Sequence, residues 1–279
     1  MLKRTITGAV LVIMFVAALL LFNTIYLNLI FSLISVLAVY EMSVCLKLEK
    51  KLLLVFPAYI LAFAFPLMAY YFKITTFLFF SAALYLYMFF LFAVTTFSRG
   101  KISLDSTAML FFTMAYILLG FNCWLMLKYL HNGIYLFVLA VLGAVATDVA
   151  AYFIGCAFGK HKLIEDVSPK KTIEGACGGV IVCALSCVGY GAVVGAIFQV
   201  TPKYIPLLIL GIIISIISQI GDLIASLIKR HFGIKDYGKI LPGHGGIMDR
   251  FDSVIAIAPF IFIFCFNQLF FGDLFHLFL

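Results

Sequence analysis

Asp222, Ser226, Lys229 and Arg230 are spaced by four, three and one residues, so on a helix they share one stripe. A carboxylate, a hydroxyl and two cations along one stripe suit a metal ion and the phosphates it neutralises. Farther on comes Pro242-Gly243-His244-Gly245-Gly246-Ile247-Met248-Asp249-Arg250-Phe251-Asp252. Its glycines let backbone N–H groups approach an anion closely. Asp249 and Asp252, three apart, stack on one helical face. Upstream, Asp148 interrupts an apolar run, and Ser168-Pro169-Lys170-Lys171-Thr172-Ile173-Glu174-Gly175 follows it. In that stretch Thr172 reads as a helix N-cap with Glu174 in the first turn. Lys170 and Lys171 have no part in such a cap and suit a phosphate. Two acids near residue 250, with Asp148 and Asp222, make an oxygen-rich set for Mg²⁺, which takes few protein carboxylates and completes its shell with phosphate and water. Such a site performs phosphoryl or nucleotidyl transfer by positioning and charge neutralisation.

The elements that must position these residues are membrane helices. Of 279 residues 65% are hydrophobic and 11% charged, against about 25% charged in an ordinary soluble domain. The apolar residues fall in nine runs, about 6–22, 24–46, 52–72, 75–97, 107–127, 133–157, 175–199, 204–228 and 251–271, each near the roughly 20 residues that span a bilayer. Strand-type alternation is absent. The expectation is therefore an all-α, polytopic membrane bundle of about nine spans, with no β-barrel. Residues 1–130 read as scaffold helices. Residues 131–279 read as a catalytic region with loops 158–174 and 229–250, in one continuous membrane domain.

Charge sets the expected orientation. With the N-terminus inside and nine crossings, 16 of the 19 basic residues lie on the inner side and only Lys73, Lys128 and Lys203 lie outside. That asymmetry follows the positive-inside rule. It predicts a multi-pass protein of the cell (inner or plasma) membrane with its site on the cytoplasmic side. The net charge of +7 is then mostly a cytoplasmic basic surface suited to anionic lipid headgroups and phosphates, with no nucleic-acid partner expected. Lys3 and Arg4 ahead of an apolar run resemble a signal peptide. The run from Ile6 to Phe22 is longer than the usual 7–15-residue h-region and is not closed by a clear cleavage site, so it is expected to remain as a helix.

The other polar and aromatic residues read more plainly. None of the seven cysteines forms a Cys-x-x-Cys pair, and they read as packing residues. Glu41 reads as an interfacial carboxylate close to Lys47, and Trp124 as lipid-facing or interfacial. Pro57 and Pro66 would kink the third run, which membranes tolerate. Asp148 and Asp222 differ, because an ionisable residue inside a span is a functional candidate by default.

The stretch from Ser226 to Asp252 resembles the signature of the phosphatidate cytidylyltransferases, also called CDP-diacylglycerol synthases. Ser226, Ile228, Lys229, Arg230, Lys235, Asp236, Gly238, Leu241, Pro242, His244, Gly245, Gly246, Ile247, Asp249, Arg250, Phe251 and Asp252 match it at every fixed position. Asp148, Ala151, Tyr152, Gly155, Gly159-Lys160-His161-Lys162 and the 168–175 stretch extend the resemblance, which points to a short bacterial-type member. Ile173 stands where that family often has Trp.

The resemblance implies a reaction: CTP and phosphatidic acid give CDP-diacylglycerol and pyrophosphate, with Mg²⁺, for phospholipid biosynthesis. It leaves room for a second, monovalent ion and implies a homodimer among membrane lipids. On this reading Asp222 and Asp249 bind metal, Asp252 ligates or positions, and Asp148 assists. Lys229, Arg230, Arg250 and Lys171, with Lys170, Ser226, Thr172 and Glu174 nearby, hold the substrates, and His244-Gly245-Gly246 cradles the nucleotide tail. Three rivals fit less well. A CDP-alcohol phosphatidyltransferase would need Asp-Gly-x-x-Ala-Arg, which the sequence lacks. A CTP-dependent polyprenol kinase would not need the signature. A transporter using Asp148 and Asp222 would favour midplane sites and internal symmetry.

Overall fold

In lipid a chain must satisfy its own backbone hydrogen bonds, so long apolar runs close into helices. The structure is a computed structural model and describes residues 2–240 and 245–266; within its first helix it describes the side chains of Gly8 and of Val12 onward. The described residues form α1 (Leu2–Leu20), α2 (Ile25–Cys45), α3 (Leu52–Phe72), α4 (Thr76–Phe97), α5 (Leu104–Met126), α6 (Gly133–Phe158), α7 (Ile173–Phe198), α8 (Tyr204–His231) and α9 (Met248–Phe266). Each falls on one of the nine apolar runs. Among the described residues six stretches are long and apolar enough to cross a membrane: Ile25–Cys45, Leu52–Phe97, Leu104–Tyr129, Gly133–Phe158, Ile173–Phe198 and Tyr204–His231. The second of these joins α3 and α4 through a 3-10 turn at Lys73–Thr75. An all-α membrane bundle is the result.

The connection between α6 and α7 differs from the expected plain loop. It is a short antiparallel hairpin of β1 (Lys162–Ile164) and β2 (Ser168–Thr172). Lys162 faces Thr172 and Ile164 faces Ser168, with an irregularity between. Strands this short show no legible alternation.

By the density of internal contacts the chain divides into two units, one of Met1–Tyr129 with His231–Phe251, the other of Leu130–Arg230 with Asp252–Leu279. In the first unit polar side chains lace α2 to α3 beside Pro66, whose missing N–H interrupts the helical ladder. Asn28 donates from Nδ2 to the Pro66 carbonyl at 2.6 Å, and Ser32 Oγ donates to the Phe63 carbonyl at 2.9 Å. The Tyr87 hydroxyl of α4 donates to the Leu54 carbonyl of α3 at 3.0 Å.

An aromatic cluster ties the signature segment to this unit. Phe31 meets Trp124 edge-on at 5.1 Å, and Phe251 lies 5.6 Å from both Phe121 and Trp124. Trp124 is buried, which corrects its reading as a lipid-facing or interfacial ring: the indole fills the cluster's centre. Replacing Trp124 by Ala is expected to cost about 3 kcal/mol, the low end for such a truncation because lipid-embedded helices gain little from leaving water. A thermal midpoint in detergent checks this.

In the second unit backbones approach closely, as small residues allow in membranes. A Cβ on Gly175 of α7 would lie 2.6 Å from the Ala151 carbonyl oxygen and 3.0 Å from the Gly155 Cα of α6. One on Gly221 of α8 would collide with Ala256 and lie 3.1 Å from the Asp252 carbonyl oxygen of α9. These two glycines bring α7 against α6 and α8 against the Asp252 end of α9.

Candidate active site

Residues of α6, the hairpin, the start of α7 and α8 line a cavity of about 590 Å³ in the second unit. Asp148, Ala151, Tyr152 and Gly155 line it from one face of α6, being spaced as successive helical turns require. Gln219 and Asp222 line it from α8, and Ser168, Lys170, Lys171 and Thr172 from β2. Among these lining residues the Lys171 ammonium lies 2.5 Å from Asp222 Oδ2, with the two side chains 24% and 30% exposed. Half-sheltered from water, such a pair attracts far more strongly than a surface one.

The hairpin is held in place by its flanks. Thr172 is the N-cap of α7, its Oγ1 accepting the Gly175 N–H at 3.2 Å, as the sequence led us to expect. The Glu174 carboxylate accepts the Lys160 and His161 N–H groups at 3.1 and 3.3 Å and lies 2.6 Å from His161 Nδ1. It thereby fastens the chain leaving α6. Lys162 donates from Nζ to the Pro169 carbonyl at 2.5 Å, and Arg230 donates from Nε to the Val167 carbonyl at 3.4 Å. Lys170 and Arg230 are exposed, while Ser226 and Lys229 are half-buried on the α8 stripe.

Asp252 is 8% exposed, and its Oδ1 accepts the Ser253 N–H at 2.8 Å. Asp222, Asp148 and Lys229 lie close enough to act on it electrostatically. Three carboxylates are thus gathered with Lys171 and Lys229 in one region of the second unit. Among the described residues no three Asp, Glu, His or Cys side chains converge into a ready-made metal cage. Mg²⁺ does not require one, since one or two carboxylates with substrate phosphate and water suffice. The donor chemistry is compatible with the ion: Asp222 already faces a cationic group, the Lys171 ammonium.

The middle of the signature, His231–Phe251, belongs to the first unit. Asp249 Oδ2 accepts the N–H groups of Tyr237 and Gly246, each at 2.9 Å. Gly245 sits at φ +84° with no room for a Cβ beside that carboxylate, the left-handed backbone only glycine adopts freely. Arg250 is exposed. His244, expected beside these glycines, lies outside the described residues.

Two residues enter that sequence reasoning passed over. Gln219, one turn before Asp222, donates from Nε2 to the Ala176 carbonyl at 3.2 Å and to Ser215 Oγ at 3.3 Å. A lone amide in an apolar run was the available signal. Glu41 is not the interfacial carboxylate that its neighbour Lys47 suggests. It is 2% exposed and accepts the N–H groups of Ile247 and Met248, each at 2.9 Å. Backbone donors 206 and 207 residues away leave no local mark in sequence.

Comparison with known proteins bears on this arrangement. A family model described as "Cytidylyltransferase family" matches residues 2–267. The phosphatidate cytidylyltransferase of Bacillus subtilis strain 168 is 44% identical over 121 residues, 42% of this chain and 42% of that protein. The phosphatidate cytidylyltransferase of Staphylococcus saprophyticus is 40% identical over 177 residues, 62% of this chain and 64% of that protein. That of Staphylococcus haemolyticus is 41% identical over 174 residues, with the same coverage of 62% and 64%. The matched stretches therefore span 42 to 64% of these relatives' lengths.

Proposed function

We propose, from the premise that the chain belongs to the cytidylyltransferase family, that it transfers the cytidylyl group of CTP to phosphatidic acid, giving CDP-diacylglycerol and pyrophosphate. The observation that carries this reading is the Lys171–Asp222 pair in a cavity lined by both lysines and carboxylates. A site joining two polyanions must neutralise phosphate charge without trapping the product, and mixed charge does so. The relatives named phosphatidate cytidylyltransferase supply the substrate class.

The chemistry follows from the charges. The lipid phosphate oxygen attacks the α-phosphorus of CTP, a P–O bond forms, the bond to the β-phosphate bridge breaks, and pyrophosphate leaves with that electron pair. The phosphate is already ionised at neutral pH, so no strong base is needed. The barrier is repulsion between phosphates, which oriented cations lower. Lys171 and Lys170 carry that task at the cavity, with Lys229 on the α8 stripe and Arg230 and Arg250 at exposed positions. Mg²⁺ is the proposed cofactor, with Asp222 and Asp252 as ligands, Asp249 as the third acid assigned from its spacing on α9, and Asp148 assisting; bound there, it would withdraw charge from the triphosphate. Ser226, Thr172 and Glu174 are assigned to substrate binding or to holding the hairpin that binds it, and His244, Gly245 and Gly246 to the nucleotide tail.

Nine crossings with a cytoplasmic N-terminus, in the cell membrane, accord with the 16-to-3 division of basic residues. That orientation puts the lysines on the side where CTP is found. A homodimer is the assembly the family resemblance implies. The expected result is pyrophosphate release that needs both CTP and phosphatidic acid, stops with EDTA, returns with Mg²⁺, and is absent from Asp249→Ala. Release that ignores phosphatidic acid or survives EDTA would refute the reading.

A further inference from the structure

We propose that Glu41 is a positioning residue for the cytidylyl transfer: from α2 its buried carboxylate fixes the start of α9, and with it the presentation of Asp249 and Arg250. The inference rests on the function proposed above for its catalytic consequence, and on geometry alone for its structural one. α9 begins at Met248, and the residues just before it are Gly245, Gly246 and Ile247. None has a side-chain oxygen, so α9 has no local N-cap of the usual Ser, Thr, Asp or Asn kind. Glu41 takes that place from another helix, accepting the Ile247 N–H with Oε1 and the Met248 N–H with Oε2.

The fit around the carboxylate is close on two sides. A Cβ at Gly238 or at Gly246 would collide with it. With Asp249 accepting from Tyr237 and Gly246, two carboxylates hold the three successive donors of Gly246, Ile247 and Met248, and that of Tyr237 besides. Bonds from N–H to an ionised carboxylate are among the stronger ones, and negative charge belongs at a helix N-terminus. One of the two carboxylates is a proposed metal ligand. The other, Glu41, touches no substrate group and acts through the backbone.

Glu41→Gln separates charge from shape. An amide keeps the volume but turns its NH₂ toward a backbone donor, so one N–H loses its acceptor. In the purified full chain, backbone hydrogen exchange over residues 237–250 is expected to quicken while peptides from α3, α4 and α5 exchange as in the wild type. The kcat with CTP and phosphatidic acid is expected to fall roughly 10- to 100-fold, as when an outer partner of a ligating group is lost. The KM for phosphatidic acid should stay within about twofold, since binding groups are retained. Ser32→Ala, which removes a hydrogen bond from the same helix away from the segment, should leave both exchange over 237–250 and kcat unchanged.

Wild-type exchange and turnover in Glu41→Gln would overturn the proposal. So would faster exchange spread evenly through α3, α4 and α5, which would make Glu41 a general packing residue. If the wild-type protein itself transfers no cytidylyl group, the functional reading falls and exchange decides this inference alone. Protection lost only over 237–250 then upholds the anchoring, and unchanged protection removes it.

Discussion

Replacing Asp222 by Asn is expected to lower the rate of CDP-diacylglycerol formation by roughly 100- to 1000-fold, the scale of losing one preorganised electrostatic contact. The amide keeps the shape of the carboxylate but not its charge. Lys171, only 24% exposed, then loses the counter-charge that holds its ammonium in the cavity. The site also loses a proposed ligand for Mg²⁺. Lys171→Met should fail in the complementary way, leaving Asp222 without its paired cation. Because the two side chains act as one unit, the double variant should be little worse than either single one. Initial rates, with thermal midpoints to confirm that each variant is folded, decide the matter. An Asp222→Asn enzyme within tenfold of the wild type would remove Asp222 from the catalytic set.

Gly175→Val should abolish activity through backbone displacement. The new Cβ would have to share space with the Ala151 carbonyl oxygen at 2.6 Å, Thr172 Oγ1 at 2.9 Å and the Gly155 Cα at 3.0 Å. Two of those atoms are backbone and cannot swing aside, so α7 must back away from α6. Overpacking of this kind costs about 1–3 kcal/mol, or a midpoint lower by several degrees in a chain of this size. The catalytic loss should exceed the stability loss, since Thr172 and Lys171 directly precede α7 and move with it. Gly189 supplies the control: it lies on the same helix with nothing within 4 Å of an added Cβ. Gly189→Val should keep both midpoint and rate, and a loss equal to that of Gly175→Val would show that the α6–α7 contact is not the cause.

Much of this architecture is written locally. Runs long enough to span a bilayer specify helices because lipid offers the backbone no other partner, and the nine runs coincide with α1 to α9. Asp148, Asp222 and the Lys170–Lys171 pair stand out because polar groups in apolar surroundings require a reason. Thr172 could be read as a cap because capping is a four-residue interaction. What escaped reading depends on long-range contact. Glu41 gains its meaning from donors more than 200 residues later. Trp124 is buried only because Phe31 and Phe251 reach it from elsewhere in the chain. The association of His231–Phe251 with the N-terminal helices likewise has no local signature, since those residues follow directly on α8.

The central claim is that the lipid phosphate attacks the α-phosphorus of CTP. The direct measurement follows two isotopes of phosphorus, one in phosphatidic acid and the other in the α-phosphate of CTP, with the purified protein in lipid–detergent micelles and Mg²⁺. The account predicts both labels in one chloroform-soluble product, with an equal amount of pyrophosphate released. The α-label accumulating in water-soluble CDP, while the lipid carries only its own label, would make the protein a kinase and contradict the account.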